Sequence, residues 1–309
     1  MSIIIQENVP LAPLTTFQIG GSARYFAEAR SEDDIRMCIT AAGERKVPLI
    51  VLSGGSNVLV ADIGLDAFVL HIVTDECSIK GRVVEAEGGI NLLSLIKKTS
   101  QAGIGGWEKL AGIPGTLGGA VRGNAGAFGT EIKDVVLRVR ALNSKTGGVK
   151  DFLNTECEFS YRHSFFKDHS EWIILNGTFE LQNADVARSL ELIEGTIQER
   201  EKRHLQNIQA AGSYFMNPVA PRAVQEMFEK EKNMKSREGR VPAGWLIEKA
   251  GMKGATVGGA IASLQHPNYI VNTGNATALD VRNLAEKVKQ AVKKEFGIEL
   301  EEEAVVLVV

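Results

Sequence analysis

The chain has 309 residues, of which 44% are hydrophobic and 24% are charged, so it can bury a large core and form two or three domains. Its formal net charge of -3 argues against a dedicated nucleic-acid-binding protein, because the domains of such proteins usually carry a basic excess. Any anionic ligand must therefore be bound by local groups.

The first third of the chain is predicted to contain a β-α-β unit. A strand at Tyr25–Ala29 precedes Ser31, which begins a helix with acidic residues in its first turn and with Gly43 as its end. The apolar run Leu49–Leu52 is typical of a buried strand, and Ala67–Ile72 is the next strand. The turn after Leu49–Leu52 offers backbone amides to an anion through five small or polar residues: Ser53, Gly54, Gly55, Ser56 and Asn57.

A glycine-rich stretch from Gly103 to Asp134 is the part of the chain that core packing explains least. Glycine is needed where the backbone has positive φ or approaches a ligand closely. We expect Gly115–Ala120 to direct successive N–H groups at a pyrophosphate or a planar cofactor. The chain has no Gly-Lys pair of a P-loop, and Glu108 stands where the Rossmann fingerprint requires glycine. A glycine-rich connector between domains is the alternative.

The remaining periodic segments favour an α+β fold. Strands are predicted at Arg82–Glu87, Val135–Leu142 and Trp172–Leu181, with a short helix between Leu92 and Gly103 and a long helix from Asp185 to about His204. Because these strands are not each separated by a helix, a doubly wound sheet is disfavoured.

The C-terminal third has two predicted helices and a final strand. Pro242 begins a short amphipathic helix that ends at Gly251. Thr277 caps a longer helix that ends at Gly297, and Val305–Val306 follows as a strand.

Cysteine usage and hydropathy predict a cytoplasmic protein without a metal. The three cysteines are odd in number and form no C-x-x-C pair, which argues against a disulfide framework and a zinc site. No apolar run approaches the ~20 residues of a membrane-spanning helix, and the N-terminus lacks the features of an export signal. The five histidines include no H-E-x-x-H pair.

Four motifs occur in a fixed order: SGGSNVLV from Ser53, GIPGTLGGAVRGNAGAFG from Gly112, YRHSFFK from Tyr161 and GSYFMNP from Gly212. In this order they resemble the UDP-N-acetylenolpyruvoylglucosamine reductases, flavoenzymes of bacterial cell-wall precursor synthesis. The resemblance implies a two-part FAD-binding module of the vanillyl-alcohol-oxidase/PCMH type, at 1–73 and 74–203, and a C-terminal α+β substrate-binding domain at 204–309. The last few residues are expected to return to the first part, and the chain resembles the branch without a tyrosine-bearing lid.

The family's cofactors are FAD, bound non-covalently, and NADPH as hydride donor. Neither glycine-rich segment contains the Cys or His that tethers flavin covalently in related oxidases. The resemblance implies these FAD-binding residues: Ser53, Gly54, Gly55, Ser56, Asn57, Ile113, Pro114, Gly115, Thr116, Gly119, Asn124, Gly126 and Ala127.

The resemblance also implies three catalytic residues. Arg162 has a cationic fork suited to a carboxylate or an enolate. Ser213, in the G-S-x-F-x-N-P motif, would protonate C2 of the enolpyruvyl group after hydride reaches C3. The family's L-x-x-E register puts a carboxylate at Glu303. Glu301 is the alternative, because the two share one face of an extended chain.

The implied reaction converts UDP-N-acetylglucosamine enolpyruvate to UDP-N-acetylmuramate, in a monomer that binds neither nucleic acid nor membrane. Met216 stands where many relatives carry a basic residue, and the prolines common before Gly212 are absent. The cations that bind the diphosphate therefore stay open among Arg200, Lys202, Arg203 and Lys253. The expected substrate-binding residues are Tyr161, Asn217, Lys253 and His266.

Two other functions remain as alternatives. The first is a flavin oxidase or dehydrogenase of the same fold that acts on another substrate. The second is a catalytically silent nucleotide-binding module, which would keep the glycine loops but would not need Arg162, Ser213 and Glu303 together.

Overall fold

A computed structural model describes residues 3–202 and 208–308. The N-terminal part contains a four-stranded sheet with the order β1-β2-β5-β3, in which β1 is antiparallel to β2 and the other pairs are parallel. Its elements are β1 (Gln6–Pro10), β2 (Ser22–Ala29), α1 (Glu32–Arg45), β3 (Leu49–Leu52), β4 (Val58–Val60) and β5 (Leu65–Ile72).

Helix α1 begins as predicted and ends later than predicted. The Ser31 side chain accepts a hydrogen bond from the Asp34 N–H and caps the helix. Gly43 lies inside the helix, which continues to Arg45 and is capped by Lys46 in the left-handed conformation. The predicted end of α1 at Gly43 was wrong, because an exposed glycine weakens a helix without breaking it.

The second part is built on a five-stranded antiparallel sheet with the order β12-β11-β13-β7-β6. Helices α2, α3 and α5 contribute to the apolar core on one face of this sheet. The other face packs on α1 through Ile173 and Leu175. The elements are β6 (Cys77–Lys80), β7 (Val83–Glu87), α2 (Leu92–Gln101), β8 (Ile104–Gly105), α3 (Leu117–Arg122), β9 (Gly126–Ala127), β10 (Thr130–Glu131), β11 (Val136–Asn143), β12 (Val149–Leu153), α4 (Phe165–Asp168), β13 (Trp172–Glu180), β14 (Gln182–Asn183) and α5 (Val186–Lys202).

The C-terminal part packs helices on a three-stranded antiparallel sheet with the order β15-β16-β17. Its core also takes in Phe17 and Leu59 from the N-terminal part. Its elements are α6 (Arg222–Lys232), α7 (Ala243–Lys249), β15 (Thr256–Val257), β16 (Ala260–Ala262), β17 (Ile270–Asn272), α8 (Ala278–Phe296) and β18 (Val305–Leu307).

The end of the chain adds to the N-terminal part. Strand β18 pairs in parallel with β4, and the two oxygens of Asp62 accept hydrogen bonds from the first N–H groups of α8. Helix α8 has the predicted Thr277 cap and the predicted left-handed Gly297 at its end. The predicted end of the α5 helix near His204, and the boundary between 203 and 204, lie outside the described residues, so the three-part division stays a prediction. No helix in the described ranges is long and apolar enough to span a membrane.

Candidate active site

The two loops that the sequence assigns to FAD lie directly against each other. A Cβ atom added to Gly54 in the first loop would lie 2.6 Å from the Cα atom of Gly115 in the second loop. The two backbones can meet this closely only because Gly54 has no side chain. Ser53 connects the loops as well, since its Oγ lies 2.8 Å from Thr116 Oγ1.

The first loop presents backbone donors that the protein does not use. Ser56 Oγ donates to the Pro114 carbonyl oxygen at 2.9 Å. Gly55 has φ 57°, and a Cβ atom there would lie 1.9 Å from the carbonyl oxygen of Leu14. Within 3–202 and 208–308, the N–H groups from Gly54 to Asn57 have no hydrogen-bond acceptor. Unpaired amides beside a close backbone approach fit a pyrophosphate.

The second loop uses its amides differently from the prediction. The Leu117 N–H donates to the carbonyl oxygen of Ile90 at 3.0 Å, and the Gly118 N–H donates to that of Gly88 at 2.7 Å. The N–H groups of Gly119 and Ala120 donate to Thr116, to its Oγ1 and its carbonyl oxygen respectively. The predicted row of ligand-directed N–H groups along Gly115–Ala120 is therefore wrong from Leu117 onward, because these four groups pair within the protein. Three more predicted FAD residues lie in this loop or at the start of α3: Ile113, Thr116 and Gly119.

The other predicted FAD residues lie beyond α3. Asn124 is fully buried, and its side chain donates to the Ser160 carbonyl oxygen at 2.8 Å and accepts from the Lys133 N–H at 3.1 Å. These bonds indicate that the Asn124 side chain supports the loop rather than the cofactor. Gly126 and Ala127 form β9 and line a cavity described below.

Arg162 lies at the tip of a tight turn. Ser160 and His163 close the turn by two backbone hydrogen bonds of 3.1 and 3.2 Å. Arg162 has φ 55°, a left-handed conformation that is strained for a residue with a side chain and that occurs often at functional sites. Its Nη2 donates to the Gly126 carbonyl oxygen at 3.0 Å, and its own carbonyl oxygen accepts from Lys167 Nζ at 3.1 Å.

Arg162 forms an ion pair with Glu303. Arg162 Nε lies 2.9 Å from Glu303 Oε1, and the two side chains are 23% and 19% exposed. Burial raises the pKa of Glu303, and the positive charges of Arg162 and Lys167 oppose this effect.

The structure distinguishes the three adjacent glutamates. Glu301 is exposed, and Glu302 pairs with Lys289 on α8. The two neighbours therefore do not occupy the position beside Arg162. The predicted alternative at Glu301 has no support in this geometry, and the catalytic role of Glu303 stays a prediction.

Ser213 lies on the segment that hydrogen-bonds to the main chain of Glu303. The Glu303 N–H donates to the Tyr214 carbonyl oxygen at 2.8 Å, next to an antiparallel bridge between Phe215 and the residue before Glu303. Asn268 holds the same segment, since its carbonyl oxygen accepts from the Tyr214 N–H at 2.7 Å and its Oδ1 accepts from the Phe215 N–H at 3.0 Å. Ser213 itself is half-buried. The fold thus brings the chain around the predicted proton donor to the predicted carboxylate.

A cavity of about 280 Å³ lies between the loop 126–131, the Arg162 turn and the segment 234–242. The Tyr161 hydroxyl accepts from the Asn217 N–H at 3.3 Å, and the Arg240 guanidinium lies 4.3 Å from the centre of the Tyr161 ring. Arg240 also donates to the Asn217 carbonyl oxygen at 2.8 Å. Two predicted substrate-binding residues, Tyr161 and Asn217, therefore line one cavity with Arg162.

The other two predicted substrate-binding residues lie elsewhere. Lys253 pairs with Glu248 at 2.8 Å, half-exposed, and does not line this cavity. The ring centre of His266 lies 4.8 Å from that of Tyr269. Burial raises the pKa of Tyr269, and the charges of Arg200, Glu303 and Arg162 also act on it, which places it near the Arg162–Glu303 pair. His266 is thus near the site, whereas within the described ranges the side chain of Lys253 pairs with Glu248 and bonds to no residue of the site. Arg203 lies outside the described residues.

Sequence reasoning missed the cations of the segment 234–242. Burial alone would raise the pKa of Glu131, but hydrogen bonds from Lys133 and Asn124 lower it, with a smaller contribution from the Arg237 charge across the cavity. Arg240 stacks on Tyr161 as described above. These residues belong to a charged stretch that reads as a solvated loop, and no local pattern places them at a site. The additional cavity-lining cations are Lys235, Arg237 and Arg240.

Comparisons with known proteins show the family and the fold of this chain. A sequence model described as the C-terminal domain of UDP-N-acetylenolpyruvoylglucosamine reductase matches residues 201–307, and a model of an FAD-binding domain matches residues 23–152. The crystal structure of UDP-N-acetylenolpyruvylglucosamine reductase from Thermus caldophilus superimposes with a TM-score of 0.79 at 28% identity, over 99% of this chain and 100% of that chain. The predicted α+β fold and the predicted FAD are thereby confirmed.

Two curated relatives cover almost the whole chain. UDP-N-acetylenolpyruvoylglucosamine reductase from Carboxydothermus hydrogenoformans is 37% identical over 96% of this chain and 91% of its own length. The enzyme of the same name from Solibacter usitatus is 34% identical over 98% of this chain and 96% of its own length. On these matches, and with the predicted motifs at one site, the chain belongs to the UDP-N-acetylenolpyruvoylglucosamine reductase family.

Proposed function

We propose that this protein reduces the enolpyruvyl ether of UDP-N-acetylglucosamine to the lactyl ether of UDP-N-acetylmuramate, with NADPH as reductant. The observation that supports this most strongly is the half-buried Arg162–Glu303 ion pair beside the Ser213 segment. A nucleotide-binding module without catalytic activity would not need these three residues together.

The two touching glycine loops would hold the FAD. The unpaired N–H groups from Gly54 to Asn57 would donate to its pyrophosphate, and the backbone contact between Gly54 and Gly115 would keep both loops in place. Bound FAD would supply the hydride for C3 of the enolpyruvyl group, and NADPH would be the source of this hydride.

The protein's own residues would stabilise charge and move a proton. Arg162 would bind the substrate carboxylate and the enolate that forms when hydride reaches C3. Glu303 pairs with Arg162 when it is ionised, and burial raises its pKa and so favours uptake of a proton. In its protonated form it would donate a hydrogen bond to the enolate. Ser213 would then give its hydroxyl proton to C2, so that the two atoms added to the double bond are one hydride and one proton.

The cavity cations would meet the negative charge of the nucleotide. Met216 is neutral at the position where many relatives carry a basic residue, and Lys253 pairs with Glu248. Arg237 and Arg240 line the cavity and provide cationic forks for phosphate oxygens. We therefore assign the diphosphate to this side of the cavity.

We also propose that the protein works as a monomer in the bacterial cytoplasm. Cys38 and Cys157 are buried free thiols, which agrees with a reducing compartment.

A direct assay tests the proposed reaction. Purified, FAD-loaded protein is incubated with NADPH and the enolpyruvyl sugar nucleotide, and the product is analysed by mass spectrometry. We expect one NADPH to be consumed for each product molecule that has gained two hydrogen atoms, and Glu303→Gln to slow this reaction by about 10²-fold or more. If NADPH reduces the flavin without oxygen and no reduced sugar nucleotide forms, the proposed reaction is contradicted.

A further inference from the structure

Asn57, the last residue of the first glycine loop, contacts the chain at Glu303. The Asn57 Nδ2 group donates to the Glu303 carbonyl oxygen at 3.0 Å. The Asn57 carbonyl oxygen accepts from the Val305 N–H, also at 3.0 Å. Directly after these bonds, β4 and β18 pair in parallel along Val58–Val60. The glycine loop and the Glu303 segment are therefore one continuous hydrogen-bonded structure.

Both backbone polar groups of Glu303 are fixed by different parts of the chain. Its carbonyl oxygen is bound by Asn57, and its N–H is bound by the carbonyl oxygen of Tyr214, which follows Ser213. The Glu303 side chain pairs with Arg162, which belongs to a third part of the chain. These two bonds fix the main chain from which the Glu303 side chain extends, and the pair with Arg162 holds the carboxylate at its other end.

From this geometry we propose that Asn57 is a positioning residue, which fixes Glu303 and couples its placement to the glycine loop that would hold FAD. The inference rests on the proposed function, since it concerns the same carboxylate. It also revises the sequence-based assignment of Asn57 to the cofactor: the side chain binds Glu303, and the backbone N–H is left for the pyrophosphate.

The expected effect is large for a residue that does not touch the reacting atoms. A displacement of about 1 Å at a catalytic group can cost about 10²-fold in rate. Loss of the Asn57 side chain frees the Glu303 carbonyl oxygen on one side, while the β4–β18 pairing still holds the strand. We therefore expect Asn57→Ala to fold and to bind FAD, and to fail mainly in the step that needs Glu303.

A double-mutant cycle with Glu303→Gln provides the test. FAD-saturated proteins are reduced with NADPH, and the rate of flavin reoxidation by the enolpyruvyl sugar nucleotide is measured for both single variants and the double variant. When residue 303 is glutamate, Asn57→Ala should slow reoxidation by about 10²-fold. In the Glu303→Gln background, it should slow reoxidation by less than about 3-fold. Equal factors in both backgrounds would overturn the proposal, because Asn57 would then act independently of Glu303.

Asn57→Asp serves as a second variant, because it keeps the shape of the side chain and removes the N–H donor. The control Asn143→Ala also removes side-chain bonds to backbone, since Asn143 Oδ1 accepts from the Lys145 and Thr146 N–H groups in the β11–β12 turn. It should leave the reoxidation rate unchanged, whereas both Asn57 variants should lower it.

Hydrogen exchange provides a readout that does not depend on activity. Amides in the peptide 301–308 should exchange several-fold faster in Asn57→Ala than in the wild type, and Asn143→Ala should leave them unchanged. Unchanged exchange in Asn57→Ala would contradict the proposed contact. If wild-type flavin is reduced by NADPH but not reoxidised by the enolpyruvyl sugar nucleotide, the proposed function fails instead.

Discussion

The contact between the two glycine loops predicts that Gly54→Ala weakens FAD binding. The added Cβ would lie 2.6 Å from Gly115 Cα and 3.1 Å from the Thr116 nitrogen, whereas carbon atoms pack at about 3.5 to 4 Å. The loops must therefore separate by about 1 Å. This movement breaks the bonds from Ser53 to Thr116 and from Ser56 to the second loop.

The size of the effect follows from these two bonds. Each is worth about 0.5 to 1.5 kcal/mol, so their loss costs about 1 to 3 kcal/mol. Because 1.4 kcal/mol corresponds to tenfold in affinity, the Kd for FAD should rise about 5- to 150-fold. Titration of the apoprotein with FAD, followed by quenching of flavin fluorescence, measures this change.

Gly43→Ala is the matched control for Gly54→Ala. An added Cβ at Gly43 meets no atom within 4 Å, and the residue lies inside α1. We expect this control to keep its FAD affinity and to gain about 0.5 to 1 kcal/mol of stability. Wild-type FAD affinity in Gly54→Ala would refute the assignment of these loops to the cofactor.

The other predictions concern the proton donor, the carboxylate and the cofactor. Ser213→Ala should slow flavin reoxidation by the substrate about 10²- to 10⁴-fold and leave reduction by NADPH nearly unchanged, as stopped-flow absorbance can show; equal slowing of both would mean that Ser213 only shapes the site. Because the pKa of Glu303 is raised in the folded state, the folded protein holds the Glu303 proton up to a higher pH than the unfolded chain does. The free energy of unfolding therefore falls as pH rises through the folded-state pKa. Glu303→Gln should remove this loss, and its Tm relative to wild type should therefore be higher at neutral pH than at acid pH; a constant difference in Tm would contradict the raised pKa. Acid precipitation should release all FAD into the supernatant, and flavin that stays with the protein would reveal a covalent bond.

The local signals of the sequence were sufficient for much of the fold. Thr277, Asp280 and Gly297 delimit α8 because capping and the left-handed helix end are decided within a few residues. The end of α1 was predicted wrongly at Gly43, since the helix continues to Arg45 and ends at Lys46, a non-glycine residue in the left-handed conformation. Helix ends without a strong local signal depend on such competing preferences.

The candidate site could be predicted only where a motif carries it. The alternation of side chains along an extended chain could not distinguish Glu301 from Glu303 as the catalytic carboxylate, because both lie on one face. The pairing of the chain around Phe215 with these glutamates decides between them, and that pairing joins segments far apart in sequence. Arg237 and Arg240 were missed for the same reason, since their place in the cavity depends on how the C-terminal part packs against the Tyr161 turn.

The central claim is tested most directly by following the flavin spectrum without oxygen. The purified protein should be yellow, should lose its flavin absorption when one equivalent of NADPH is added, and should regain it when the enolpyruvyl sugar nucleotide follows. Recovery of the absorption with formation of UDP-N-acetylmuramate is the result that we predict. A flavin that NADPH bleaches and that stays bleached with this substrate would contradict the proposed reaction.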